Sequence, residues 1–166
     1  MHTRNMAEKD AGVVAKLCTE LGYPASEDQI RWRFRALTGV EDHKLLVVQD
    51  DGGNVMGWLH AHVPRLLQTD AVAEIQGLVV DETHRGGGFG RLLMTEAELW
   101  AKEKRCNEVS LRSSVARQDA HRFYEGMGCQ IRTTSHDFRK SLEGHAPGNS
   151  TTSWTAQLRH RGDRQV

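Results

Sequence analysis

The sequence predicts an α/β protein: one mixed sheet with helices on both faces. Three observations lead there. Apolar residues switch between helical spacing and short strand-like runs in the order helix, helix, hairpin, strand, helix, strand, helix, strand. A hairpin stands in the middle of that order, which does not suit a purely parallel sheet. The chain has 166 residues, enough for one domain with a real core.

A first helix is predicted over 6–20. Val13, Val14, Leu17 and Leu21 recur at three- and four-residue spacing behind Met6, and Gly22 and Pro24 stop the run. A second helix begins at Ser26. Its hydroxyl can cap the helix, and Gln29 completes a capping box. Ile30, Phe34 and Leu37 form its apolar stripe, Arg31, Arg33 and Arg35 are assigned to its wet side, and Gly39 ends it. The Leu- and Val-rich run 44–49, the turn Asp50-Asp51-Gly52-Gly53-Asn54 and the returning run 55–63 make a hairpin, closed by Pro64.

A further strand starts at Thr69 or Ala71 and ends at Val80. Its apolar run from Ile75 is broken only by Gln76 and Gly77, as expected for burial on both faces. The clearest helix is 88–104, with Phe89, Leu92, Leu93, Ala97 and Trp100 at helical spacing. A short strand over 108–112 follows. The helix over 116–127 carries Ala120, Phe123, Tyr124 and Met127 on one face, with Gly128 as its cap. The alternation over 129–138 predicts a last strand. Turn and linker residues dominate 144–166, where Trp154 and Leu158 offer the main apolar surface. The expected organisation is a domain over 1–143 and an extension over 144–166, partly flexible or packed on a partner subunit.

Lys and Arg number 22, as do Asp and Glu, so the formal net charge is +0. The basic excess expected of a nucleic-acid binder is absent. No run approaches the roughly 18 apolar residues of a membrane span. Met1-His2-Thr3-Arg4-Asn5 leads into no apolar stretch, so a secretory signal is not expected. Cys18, Cys106 and Cys129 are odd in number and contain no CxxC pair, which argues against a zinc framework. They read as reduced thiols of a cytoplasmic protein.

The chemistry concentrates after the strand that ends at Val80. A polar loop leads into Arg85-Gly86-Gly87-Gly88-Phe89-Gly90 and directly into a helix. Glycines let backbone approach a bulky ligand, and free amides at a helix start point at an anion. Arg85 and Arg91 add positive charge, so a diphosphate is the natural guest. A phosphate-binding P-loop needs Lys and Ser or Thr after its glycines, whereas Arg91 and Leu92 follow Gly90. A dinucleotide fingerprint fails as well. Its third glycine would fall on Arg91 or on Leu93, depending on the glycine taken as first.

These residues resemble the signature of the GCN5-related N-acetyltransferases (GNAT family): a strand, then Arg or Gln, two residues, Gly, any residue, Gly or Ala. A second matching block runs from Leu111 to Cys129, with the Ala120-His121-Arg122-Phe123-Tyr124-Glu125-Gly126-Met127-Gly128 core. The resemblance covers roughly residues 4–142. It implies the acyl-CoA N-acyltransferase fold, with a mostly antiparallel sheet. Three departures stand out: a first strand nearly missing ahead of Met6, Arg117 where Asn is frequent, and Cys129 where Phe or Tyr is usual.

The resemblance implies an acetyltransferase that uses acetyl-CoA and no metal. The cofactor would lie where strand 72–80 parts from strand 108–112. Backbone at Leu78, Val79 and Val80 would take the pantetheine arm. Amides of Gly86, Gly87, Gly88, Phe89 and Gly90 would take the pyrophosphate. Arg85, Arg91, Arg117, Ala120 and Tyr124 would complete that surface, with Arg122 a further phosphate candidate. An amine would attack the thioester directly. Glu74 is the candidate base, through water that Gln76 would hold, against a plain surface-strand glutamate. Tyr124 is the candidate acid for the leaving thiolate, against a plain packed tyrosine. The amide of Leu78 or Val79 would serve the developing oxyanion.

His121 reads as a structural helix residue. His60 and His62 share a strand face and either line the acceptor pocket or decorate the hairpin surface. Two histidines without a third ligand do not make a metal site. Tyr23, Trp32, Trp58 and His136 are candidate acceptor-lining residues, and Asp28, Glu41 and Asp42 would attract a cationic amine. A small amine, an aminoglycoside, an amino acid or a protein amino-terminus would each fit; the short chain leans toward a small molecule. A homodimer is expected. The alternatives are a CoA-binding sensor without catalysis, a protein or peptide acetyltransferase, and an interaction module around Trp32 and its flanking arginines.

Overall fold

Five strands lie side by side in sequence order in the computed structural model, which describes residues 1–142. They are β1 (His2–Asn5), β2 (His43–Gln49), β3 (Val55–His62), β4 (Val72–Val80) and β5 (Glu108–Leu111). The first four pair antiparallel, and β5 joins β4 in parallel. Four helices accompany them: α1 (Ala11–Leu21), α2 (Glu27–Leu37), α3 (Phe89–Glu103) and α4 (Gln118–Gly126).

Strand alternation divides the core in two. Leu46 and Val48 of β2, Leu59 and Ala61 of β3, and Ala73 and Ile75 of β4 pack with Leu93, Met94, Ala97 and Trp100 of α3. Val47 points the other way, to Ala11, Val14, Ala15 and Cys18 of α1 and Ile30 of α2, and Trp58 joins it there. The expected helices on both faces of a mixed sheet are therefore present.

The capping box at α2 forms as read. Gln29 N donates to Ser26 Oγ at 3.2 Å, and Ser26 N donates to Gln29 Oε1 at 2.9 Å. The start of the chain departs from expectation. The first strand is present, because each of the four residues from His2 to Asn5 pairs with β2. The first helix begins at Ala11 and not at residue 6. The Met6 amide still donates to Leu45 O at 2.9 Å, and Ala7 is extended. A short 3-10 turn, Glu8–Asp10, bridges to α1. The carboxylate of the buried Asp10 accepts the Ala7 amide at 2.8 Å and both Arg4 guanidinium nitrogens at 2.7 and 2.8 Å.

The last strand expected over 129–138 is not formed. Those residues carry neither helix nor strand, and Ile131 and Phe138 are 69% and 91% exposed. Alternation makes a strand only where a neighbour completes its hydrogen-bond ladder. Among the described residues, the helices and strands fall within one compact unit, Met1–Gln130, and Ile131 begins a second. The extension expected over 144–166, with Trp154 and Leu158, lies outside the described residues.

Candidate active site

β4 and β5 pair only from Val72 opposite Glu108 to Ile75 opposite Leu111. β5 then ends while β4 runs on to Val80, so residues 76–80 carry no ladder on that side. β4 is also bulged. His60 lies opposite Gly77 and Ala61 opposite Ile75, which leaves Gln76 unmatched. A bulge re-aims the side chain it carries.

Past Val80 the chain is held in a tight polar turn. The Asp81 carboxylate accepts the Thr83 amide at 3.0 Å and the Thr83 hydroxyl at 2.5 Å, and lies 2.8 Å from His84 Nδ1. Those partners lower its pKa to about 2. Gly86 and Gly88 adopt φ of 79° and 87°, the left-handed region that favours glycine. Gly88 caps α3 without a side chain, and the first bond inside the helix is Leu92 N to Gly88 O at 3.1 Å. The amides of Phe89, Gly90 and Arg91 thus emerge at an unblocked helix start. Space is tight behind this turn: a Cβ on Gly90 would meet the Phe123 ring at 3.3 Å, and one on Gly87 would meet His84 O at 3.2 Å.

The basic side chains are occupied in different ways. Arg85 Nε donates to Val80 O at 3.3 Å, and Arg91 Nη2 to Gly126 O at 3.4 Å. Arg117 Nη2 donates to Leu21 O at 2.5 Å, at the C-terminal end of α1, where a cation meets free carbonyls. Arg122 pairs with Asp119. On α4, Ala120 and Tyr124 stand four residues apart on one face. Tyr124 is half-buried, with its ring edge-on to Phe123 at 5.1 Å. Burial raises the pKa of its hydroxyl, Cys129 adds to that, and Arg117 opposes it. His121 Nε2 lies 3.0 Å from Ser114 O, so it ties α4 to the preceding loop.

A second cluster occupies the α1/α2 face of the sheet beside the bulge. Glu74 lies opposite His62. Gln76 Nε2 donates to Glu74 Oε2 at 3.0 Å and lies 3.1 Å from His62 Nδ1. His43 stacks on His62 with ring centroids 5.2 Å apart, and its Nδ1 lies 3.0 Å from His60 Nε2. Burial, then His43 and His62, lower the His60 pKa to about 4. Burial and His62 lower His43 too. His43 was not singled out from the sequence. The hairpin register, which sets it opposite His62, was the signal available.

Between α1, α2 and this face lies a cavity of about 320 Å³. Ile30, Phe34 and Leu37 of α2, Cys18 of α1, and Trp58 line it, with His60 and Gln76 on the sheet side. Of the acceptor candidates, Tyr23 and Trp58 line the cavity. Trp32 does not, and is 72% exposed. His136 belongs to the unit that begins at Ile131. None of the three candidate carboxylates lines it: Asp28 pairs with Arg31, Glu41 with Lys104 and Asp42 with Arg65. Arg33 does line it. It was assigned to the wet side, although it stands three residues from Ile30 and four from Leu37, on the same stripe. A cavity of about 340 Å³ nearby touches neither β3 nor β4 and so does not reach the bulge. Among the described residues, no group of three His, Cys, Asp or Glu side chains is arranged to hold a metal, and no helix is long and apolar enough to cross a membrane.

The sequence model of the acetyltransferase (GNAT) family matches residues 14–129. The chain is 42% identical over 69 residues to an uncharacterized N-acetyltransferase, YhdJ, of Bacillus subtilis; the match covers 41% of this chain and 47% of that protein. It is 36% identical over 73 residues to the aminoalkylphosphonate N-acetyltransferase of Salmonella typhimurium, covering 43% and 47%. The chain thus aligns with about half the length of these curated relatives. Among solved structures, the aminoglycoside 6'-N-acetyltransferase AAC(6')-IG of Acinetobacter haemolyticus superposes with a TM-score of 0.73 at 21% identity, over 86% of this chain and 100% of that one. At that identity the likeness is one of fold.

Proposed function

We propose that this chain, which belongs to the acetyltransferase (GNAT) family, moves an acetyl group from acetyl-CoA to the primary amine of a small molecule. One observation carries the reading: β4 parts from β5 after Ile75, and its unladdered end runs straight into the glycine turn at the start of α3. An extended arm can add to the free strand edge while a diphosphate meets the helix start. Gly87 and Gly90 fit that use, since a Cβ at either would already press on its neighbours.

Acetyl-CoA supplies the acyl group as a thioester. In this reading the backbone of Leu78, Val79 and Val80 binds its pantetheine arm, and the amide of Leu78 or Val79 faces the oxygen on which negative charge develops. The amides of Gly86 to Gly90 hold the pyrophosphate, with Arg85 and Arg91 adding charge. Phe89 and Ala120 complete the surface. Arg117 would reach the nucleotide end only on leaving the Leu21 carbonyl. Glu74 receives the amine proton through water near Gln76, whose amide already bridges Glu74 and His62. Tyr124 gives its proton to the departing sulfur. Its raised pKa keeps that proton in place at neutral pH.

The acceptor enters by the cavity between α1, α2 and the sheet, whose volume near the low end of ligand pockets suits a small amine. Three unpaired cysteines fit a reducing compartment such as the cytoplasm. The expected homodimer is part of the proposal and is tested by sedimentation. The activity is tested by incubating the full chain with acetyl-CoA and a panel of amines while following thiol release. Amine-dependent release is expected. Release no faster than background hydrolysis with every amine class, in a protein that binds acetyl-CoA, would leave only the sensor reading.

A further inference from the structure

Three arginines stand at alternate positions on α2, and two of them are neutralised. Arg31 pairs with Glu27 at 2.5 Å, Asp28 at 3.0 Å and Glu8 at 3.5 Å. Arg35 pairs with Glu8 at 2.5 Å. Positions 31 and 35 share a helix face, and position 33 points away from it. Arg33 has no ion pair or hydrogen bond among the described residues, and it lines the cavity beside Phe34 and Leu37. Its charge is felt inside: burial raises the Cys18 thiol pKa, and Arg33 opposes that shift. Among the described residues, no carboxylate lines the cavity. His60 and Gln76 line the sheet side of the cavity, Arg33 lines it from α2, and apart from Tyr23 and Cys18 the other lining side chains are apolar, Trp58 among them.

We infer that the acceptor of this enzyme carries an anionic group at the far end of an apolar body from its amine, and that Arg33 binds that group. The inference rests on the acetyl-transfer reading above. The amine end goes to the sheet, where Glu74 and Gln76 stand. The body lies against Trp58, Phe34 and Leu37. The anion meets a guanidinium that no carboxylate among the described residues neutralises. A polycation is the wrong guest: it would set a second positive charge against Arg33 with no counter-charge among the described lining residues. A carboxylate and a phosphonate share the required chemistry.

The test uses the full chain, acetyl-CoA and four benzylic amines that differ at one position: benzylamine, 4-(aminomethyl)benzoate, the matching phosphonate, and 1,4-bis(aminomethyl)benzene. At least one anionic amine should exceed benzylamine by about tenfold in kcat/KM, mostly through KM, as a charge-assisted contact predicts. The better of the two identifies the anion. In Arg33→Gln the ratio should fall toward one, and in Arg33→Glu the diamine should become the preferred acceptor. Arg33 is exposed and has no ion pair or hydrogen bond among the described residues, so both variants should fold, as circular dichroism would verify. Equal use of all four amines by the wild type, or a preference that survives Arg33→Gln, would overturn the inference and leave the acetyl-transfer reading intact. If none of these four amines is acetylated, the broader amine panel decides on that reading. Calorimetry with 4-(aminomethyl)benzoate then decides on Arg33: binding lost in Arg33→Gln sustains its role, and absent or unchanged binding removes it.

Discussion

The ring of Trp58 lies across Gly77 so closely that a Cβ on that glycine would sit 2.6 Å from the ring. The register explains the approach. Trp58 stands opposite Val79, two residues beyond Gly77 on β4, and its ring leans back along the strand toward the residue after the bulge. The ring walls the cavity between α1, α2 and the sheet, and its Nε1 is buried without a hydrogen-bond partner among the described residues. Gly77→Ala must therefore push an aromatic wall into the cavity. The expected cost is about 1–3 kcal/mol of stability, with a rise in KM for the amine larger than any change in Kd for acetyl-CoA. Thermal melts and steady-state kinetics read the two effects. Unchanged values in both would mean that the ring moves aside freely.

The Arg4–Asp10 pair fastens β1 to the entry of α1, and its effect depends on pH. Burial pushes the Asp10 carboxyl up. Arg4 and the Ala7 amide outweigh that, and the net pKa lies below the ordinary value. A carboxyl that ionises more readily folded than unfolded contributes stability above the ordinary carboxylate range, and that contribution is lost as pH falls through its folded pKa. Asp10→Asn leaves Arg4 beside a neutral amide and should cost about 2–3 kcal/mol at pH 7. Urea titrations at neutral and at strongly acid pH check this, since the gap between variant and wild type should narrow in acid. A constant gap would assign the loss to packing.

These two sites show what the sequence made legible. Regular elements were readable where local chemistry fixes them. The Ser26–Gln29 box set the start of α2, and the glycine turn with the spacing behind it set α3. Features that depend on a distant partner were not. The brevity of β1 hid its pairing with β2, and the alternation after Cys129 suggested a strand that finds no ladder. In the candidate site, the fall of Glu74 and Gln76 on one face was readable, but the bulge that leaves Gln76 unmatched was not. Arg33 looked like its neighbours at 31 and 35 until Glu8, far away in sequence, took up both of those and left Arg33 without an ion pair among the described residues.

Tyr124 and Gly88 should separate chemistry from binding. Tyr124→Phe keeps the half-buried ring and removes only a hydroxyl that makes no hydrogen bond among the described residues. Turnover should fall by about a hundredfold or more, on the scale of general acid catalysis, while the Kd for acetyl-CoA barely moves. Gly88→Val forces a branched side chain to φ near 87° at the mouth of α3. There acetyl-CoA binding should weaken first. Calorimetry with acetyl-CoA beside single-turnover kinetics distinguishes them. Full turnover in Tyr124→Phe would transfer the acid role to water.

His60 gives the fold a second acid-sensitive element, with its own window. Its pKa is lowered to about 4 by burial and by His43 and His62, against an unfolded value of about 6.5. The neutral ring is the folded form. Its contribution is therefore complete above about pH 6.5, declines as pH falls through the folded pKa, and reaches up to about 3 kcal/mol. Asp42 raises His43 slightly against the same trend, and Glu74 flanks His62 across the strands. His60→Gln keeps a neutral polar group at every pH. It should flatten the stability profile between pH 6.5 and 4 while leaving the Asp10 transition at lower pH in place. Denaturant midpoints across that range make the comparison. A wild-type profile already flat there would mean that the His43–His60 pair takes up a proton without cost to the fold.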